Sequence, residues 1–157
     1  MNNKTHKRGF TLVELMAVLL ILALIGGFAG KNIMTAVKRA RVTTTKSRLK
    51  ELHQAVNMFK LDTGHYPSEE VGLTELIEQP MDLEGWAQGG YLESTDVPSD
   101  GWKNEFVYVV GPESGKPFVI ISYGADGQEG GEGYDRDIES TNLDGSDDSE
   151  TYTEDEY

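Results

Sequence analysis

Residues 7–30 read Lys7-Arg8-Gly9-Phe10-Thr11-Leu12-Val13-Glu14-Leu15-Met16, followed by AVLLILALIGGFAG from Ala17 to Gly30. From Phe10 on, this is a 21-residue run with one charged side chain, Glu14. As a helix it would be about 31 Å long, which matches a hydrocarbon core of about 30 Å. Lys4, Lys7 and Arg8 precede it, and flanking bases favour a cytoplasmic N-terminus with the remainder across the membrane. An ordinary secretory signal has a shorter apolar stretch that is followed by a small-x-small cleavage site. Here the run is longer and the small residue, Gly9, comes before it. A carboxylate at membrane depth is expensive and marks a functional site that needs a partner.

The charges divide sharply outside this run. Residues 1–60 hold 11 Lys/Arg against Glu14 and Glu51, a balance of +9, whereas residues 61–157 hold three bases against 25 acids, a balance of −22. The acidic half argues against nucleic acid as a ligand. The absence of cysteine excludes a disulfide scaffold, a thiol nucleophile and a Cys-containing zinc site.

The order basic pair, Gly9, Phe10, Thr11, Glu14 and apolar run resembles the class III signal of type IV pilins and pseudopilins. The resemblance implies cleavage by a prepilin peptidase between Gly9 and Phe10, with N-methylation of the new N-terminal Phe10. It also implies that Glu14 pairs with the terminal amine of a neighbouring subunit. A buried charge is tolerable when it is paired in this way, and the pairing would set the stagger between subunits.

Helical periodicity continues past residue 30. Ile33, Val37 and Ala40, then Leu49, Leu52, Val56 and Phe59, recur at helical steps. Lys38, Arg39, Arg41, Lys46, Arg48 and Lys50 form a basic, solvated face. Thr43-Thr44-Thr45 is a weak point, because consecutive β-branched residues lower helix propensity. Gly64 and Pro67 predict the stop of a helix of roughly 50 residues, far longer than the globular mean. Ser68 with Glu69 and Glu70 predicts a short helix to about Glu78, ended by Pro80. Residues 81–101 read as a loop anchored by Trp86 and Tyr91. Residues 105–110 and 117–123 read as an antiparallel hairpin. Two strands cannot bury themselves, so the hairpin is expected to pack on the amphipathic half of the long helix.

From Ser122 to Ile138 the chain carries five glycines and five acids. Carboxylates and carbonyls are the hard oxygen donors that Ca²⁺ takes, and a divalent ion would order a loop that otherwise repels itself. The EF-hand spacing is absent. Spacing alone therefore leaves a Ca²⁺ loop and a flexible acidic loop both open. Together with Trp102-Lys103-Asn104 and Tyr108, the loop resembles that of the major pseudopilins of the type II secretion system. The resemblance implies one structural Ca²⁺, held by Asp126, Asp135 and Asp137 with the backbone carbonyl of Tyr123. Those relatives usually carry prolines around the Trp-Lys-Asn turn, where this chain has Gly101 and Glu105.

The expected fold class is thus α+β and type IV pilin-like. A long N-terminal helix, transmembrane in its first half, packs on a small antiparallel sheet with a Ca²⁺-binding C-terminal loop. The expected organisation is a leader at 1–9, a transmembrane and assembly helix at 10–30, a periplasmic domain at 31–138 and an acidic, disordered tail at 139–157. The tail offers eight acids and no base, too little apolar surface to offset its ordering entropy. Its alternative role is an arm that contacts basic helix faces of neighbouring subunits. The implied function is that of the major subunit of a periplasmic filament that drives protein export across the outer membrane of a Gram-negative bacterium, anchored single-pass in the inner membrane. The implied partners are further copies of itself, minor pseudopilins, prepilin peptidase and the inner-membrane secretion platform, with no nucleic acid and no catalysis. The alternatives are a type IV pilin or competence pseudopilin and, from another class, a membrane-anchored periplasmic hydrolase. No nucleophile elbow or triad spacing supports the last, and His6, His53 and His65 lie at no metal-ligand spacing.

Overall fold

Helix α1 spans Leu12–Thr63, 52 residues, in a computed structural model that describes residues 10–112 and 115–143, with backbone alone for 26–32. The threonine triplet does not break it. Thr43 and Thr45 return their hydroxyls to the carbonyls of Arg39 and Arg41 at 3.1 and 2.9 Å, inside the helical ladder. The helix stops where expected. Gly64 takes φ +87° and donates its N–H to Lys60 O at 3.0 Å, a left-handed cap that a residue without Cβ adopts freely.

The chain divides into two units, one up to Lys38 and one from Arg39 onward. In the first, the described apolar side chains are open to solvent, with Phe10 87% and Leu15 58% exposed. Ile33 and Val37, expected on a packed face, are 61% and 44% exposed. Among the described residues no helix is long and apolar enough to cross a membrane. The expected span, 10–30, includes 26–30, whose side chains lie outside the described residues, as does the expected leader at 1–9.

The second unit holds the core. Val42, Leu49, Leu52, Val56 and Phe59 line one face of α1 and pack with Leu73, Leu76, Leu92, Phe118, Ile120 and Ile138. Strands β1 (Val107–Val110) and β2 (Phe118–Ser122) form the expected antiparallel hairpin, with Val107 opposite Ile121. A third strand that the sequence did not suggest, β3 (Ile138–Glu139), adds antiparallel to β2 and completes the order β1-β2-β3. Two residues carry too little pattern to read as a strand.

The helix expected from Ser68 to Glu78 is reduced to one 3₁₀ segment, Gly72–Leu76. Its N-cap is Val71, with no side-chain cap, and the expected cap Ser68 instead accepts Val71 N–H at 3.3 Å in the turn ahead of the segment. Gly72 sits at φ +66°, outside helical space. The carbonyls that would propagate a helix are taken elsewhere, Glu75 O by Trp86 Nε1 at 2.9 Å and Leu76 O by Tyr91 N–H at 2.8 Å. The two anchors expected in the following loop therefore set the length of the segment before it.

The boundary expected between 138 and 139 also moves. Glu139 pairs in β3. Ser140 is buried, exchanges hydrogen bonds with Ile120 and meets His53, and Leu143 packs against the core. The expected tail from 144 onward lies outside the described residues. Truncation after Leu143 is expected to change stability by less than about 1 kcal/mol, since residues 144–157 carry seven acids and no large aliphatic residue with which to add to a core. Truncation after Glu139 removes two hydrogen bonds to Ile120 and an apolar contact, and is expected to cost about 2 kcal/mol or more. Thermal melts of the two truncated chains beside the full chain check this contrast.

Candidate functional site

Three features gather the chemistry: the N-terminal end of α1, a polar turn at Asp100, and the acidic loop after β2. Gly9, the expected cleavage position, lies outside the described residues. Directly after Phe10, Thr11 closes a capping box with Glu14. The Glu14 carboxylate accepts Thr11 N–H at 2.9 Å and the Thr11 hydroxyl at 3.0 Å, while Glu14 N–H donates back to Thr11 Oγ1 at 3.2 Å. Sequence reasoning assigned Glu14 an intermolecular role and overlooked this local one, although Thr-x-x-Glu ahead of an apolar run is its signature. The carboxylate keeps further lone pairs for a second partner.

The turn around Trp102 is organised by Asp100, which is 1% exposed. Its Oδ1 accepts the N–H groups of Trp102 and Asn104, each at 2.8 Å, and its Oδ2 accepts the Ser122 hydroxyl at 2.7 Å. Arg48 on α1 donates to the carbonyls of Ser99 and Asp100. Gly101 N–H donates to the Thr45 hydroxyl at 2.9 Å. Asn104 Nδ2 reaches across to Gly124 O at 2.9 Å. One carboxylate and its neighbours thus link α1, β2 and the start of the acidic loop. Sequence reasoning left Asp100 in an undifferentiated loop. An acid followed by a tight Gly-Trp-Lys-Asn turn was the available signal, since Asp accepts hydrogen bonds from the backbone just beyond it.

The acidic loop closes on itself. Gly124, at φ +65°, sits where a Cβ would fall 2.5 Å from the Asp135 backbone, and Ala125 N–H bonds Tyr134 O at 2.9 Å. Asp126 and Asp135 are exposed and Asp137 is half-buried. Asp126 Oδ1 accepts Gln128 N–H at 3.1 Å, and Asp137 Oδ2 accepts Gly130 N–H at 3.0 Å. The second oxygen of Asp137, Oδ1, is buried without a hydrogen-bond partner. Such an orphaned acceptor calls for an ion or water. Among the described residues no three His, Asp or Glu side chains converge to hold a metal. The three expected carboxylates therefore share one loop without forming a closed cluster, and backbone carbonyls such as that of Tyr123 would have to supply much of a cation's shell.

His53 stacks on Phe118 at 4.7 Å and shares a hydrogen bond between its Nδ1 and the Ser140 hydroxyl, 3.2 Å apart. Burial holds its pKa below the ordinary 6.5, so the ring is neutral at pH 7 and structural. A shallow surface groove gathers His65, Ser68 and Glu69. The Ser68 hydroxyl donates to Glu75, and Glu69 accepts Val110 N–H at 3.2 Å. Both side chains are engaged in the fold.

The profile of the family described as type II secretion system (T2SS), protein G, matches residues 32–141. The chain belongs to that family. The T2SS protein G assignment is joined by a match of residues 4–30 to the prokaryotic N-terminal methylation motif. The type II secretion system core protein G of Pseudomonas aeruginosa is 36% identical over 138 residues, covering 86% of this chain and 95% of its own length. That of Vibrio cholerae is 33% identical over 145 residues, covering 91% and 97%. The crystal structure of the major pseudopilin from the type 2 secretion system of enterohaemorrhagic Escherichia coli superposes with a TM-score of 0.55 at 27% identity, over 69% of this chain and 92% of that one. The long helix on a small antiparallel sheet is thus the pseudopilin fold. The protein G match ends just after β3, so residues 142–157 lie outside it.

Proposed function

We propose that this chain is the major, non-enzymatic subunit of a type II secretion pseudopilus. It is processed by prepilin peptidase between Gly9 and Phe10, N-methylated on Phe10, and held single-pass in the inner membrane until it assembles into a periplasmic filament with minor pseudopilins on the secretion platform. The observation that carries this reading is the apolar first part of α1, whose described side chains are exposed along 10–25 around the lone acid Glu14. A face this apolar needs lipid or other copies of itself to cover it. Glu14 then pairs with the amine of the next copy, with Thr11 holding the carboxylate in place beforehand.

Two variants separate the capping role from the charge role. Glu14→Gln keeps a capping-box side chain and loses the charge, whereas Glu14→Leu loses both. Both are expected to insert and be cleaved, yet to give almost no sheared filament. Normal filament yield from Glu14→Gln would refute the charge pair.

We further propose that the 122–138 loop takes one structural Ca²⁺, with Asp126, Asp135, Asp137 and the Tyr123 carbonyl as donors. The unpartnered Asp137 Oδ1 supports it. The ion would supply the positive charge that lets five acids share one short segment. Ca²⁺ at about 100-fold over its Kd is expected to stabilise the fold by about 2.7 kcal/mol, a rise of roughly 10 °C in melting temperature. Asp137→Ala should erase the dependence. A full chain whose melt is indifferent to Ca²⁺ and chelator would defeat the metal while leaving the filament reading intact.

A further inference from the structure

Strand β3 is paired to β2 through two residues, Ile138 opposite Ser122 and Glu139 opposite Ile121. Ser140 adds the bonds that follow. Its N–H donates to Ile120 O at 2.8 Å, and its Oγ accepts Ile120 N–H at 3.0 Å. The same hydroxyl lies 3.2 Å from His53 Nδ1 on α1. With Oγ accepting from Ile120, the one hydroxyl proton is left for the imidazole. Nδ1 is therefore the acceptor, and the ring proton sits on Nε2. The ring is half-buried and stacked on Phe118, itself 1% exposed. Burial lowers the His53 pKa from its ordinary 6.5. The charged groups of its own helix on this side are cations. Lys50 lies one turn back, and Lys46 and Lys60 lie two turns away in either direction. From β2 the ring meets Phe118, and Tyr66 lies against the same phenyl ring. From β3 the adjoining charge is Glu139, which is exposed while Ile138 and Ser140 on either side of it are buried. Strand alternation thus turns it to the other face.

We propose that His53 is a pH-sensitive latch on the last strand of the sheet. The neutral ring takes the Ser140 hydroxyl proton and holds Ser140 against Ile120. A proton arriving at Nδ1 turns that acceptor into a donor facing a donor. The hydroxyl must then turn its own proton away from the ring. At Ser140, 7% exposed, a donor that loses its acceptor is costly. The new positive charge also sits on the lysine side of α1. Ser140 lets go, and β3 opens from its C-terminal end. The sign follows from burial. The closed fold holds the ring below 6.5 and an opened one returns it there, so the latch is complete above about pH 6.5 and weakens as the pH falls toward the folded pKa. In that window the opening constant rises by up to about tenfold per pH unit. All of these groups lie in the unit from Arg39 onward, so the latch works within one copy, whether or not copies polymerise.

The test uses the full ¹⁵N-labelled chain in detergent micelles. Imidazole ¹⁵N shifts report which ring nitrogen carries the proton. Hydrogen exchange, taken against the intrinsic rate at each pH, reports opening at the Ser140 and Ile120 amides. The expected result at about pH 7 is a His53 ring protonated on Nε2 alone. Between about pH 7 and about pH 5.5 the protection of the Ser140 and Ile120 amides should fall by about twofold or more, while Val107 and Val109, which pair β1 with β2, keep theirs. His53→Asn offers an amide oxygen to the Ser140 hydroxyl at every pH, so its Ser140 protection should not change over this range. His65→Asn should retain the dependence of the wild type. A His53 ring protonated on Nδ1 at about pH 7, protection at Ser140 that ignores pH, or a loss of protection that persists in His53→Asn would each overturn the proposal. The first two measurements are made on the unaltered chain and decide the matter even where a variant fails to fold.

Discussion

Asp100→Ala is expected to lower the stability of the full chain by about 4 kcal/mol. The substitution strands the N–H groups of Trp102 and Asn104 and removes the acceptor of the Ser122 hydroxyl, all in a site that is 1% exposed at Asp100. Each buried donor left without a partner costs about 1–3 kcal/mol. For a domain of this size the melting temperature should fall by roughly 15 °C. Asp100→Asn separates hydrogen bonding from charge. Its Oδ1 can keep both backbone donors, and its amide can donate to Ser122 Oγ after the hydroxyl rotates. The Asn variant should therefore melt within a few degrees of the wild type. An Ala variant that melts like the Asn variant would show that the network contributes little.

Gly101→Ala should be nearly as damaging, for a steric reason. A Cβ at this position would lie 2.2 Å from Arg41 O and 2.8 Å from its carbonyl carbon and Cα. These are backbone atoms in the middle of α1, so the helix cannot yield by turning a side chain. The turn must lift away. That breaks the Gly101–Thr45 hydrogen bond and loosens the hold of Arg48 on Ser99 and Asp100. Overpacking of this kind costs about 3 kcal/mol when the neighbour is rigid. Thermal melts of Gly101→Ala, alone and combined with Thr45→Ala, check it. The double variant should cost less than the sum of the singles, because the two share one hydrogen bond.

The most legible parts were those with long periodicity. Leu49, Leu52, Val56 and Phe59 were expected on the buried face of α1 and are fully buried there. The stop at Gly64 and the two hairpin strands were also readable, because turn residues and alternating apolar runs are local signals. Ile33 and Val37 show the limit of that reasoning. Their spacing is helical, yet they are exposed, since periodicity reports that a face is apolar and not what covers it.

Sequence alone determined that this chain has a long apolar N-terminal helix with one acid, a packed second half and a glycine-rich acidic loop. Each follows from composition and spacing within a short window, where neighbours in sequence are neighbours in space. Only the tertiary structure decided that Asp100 is buried, that Glu75 and Leu76 give their carbonyls to Trp86 and Tyr91, and that β3 and Ser140 extend the domain past residue 138. These depend on hydrogen bonds between residues far apart in the chain. A donor and an acceptor carry no mark in the sequence of which partner folding will bring to them.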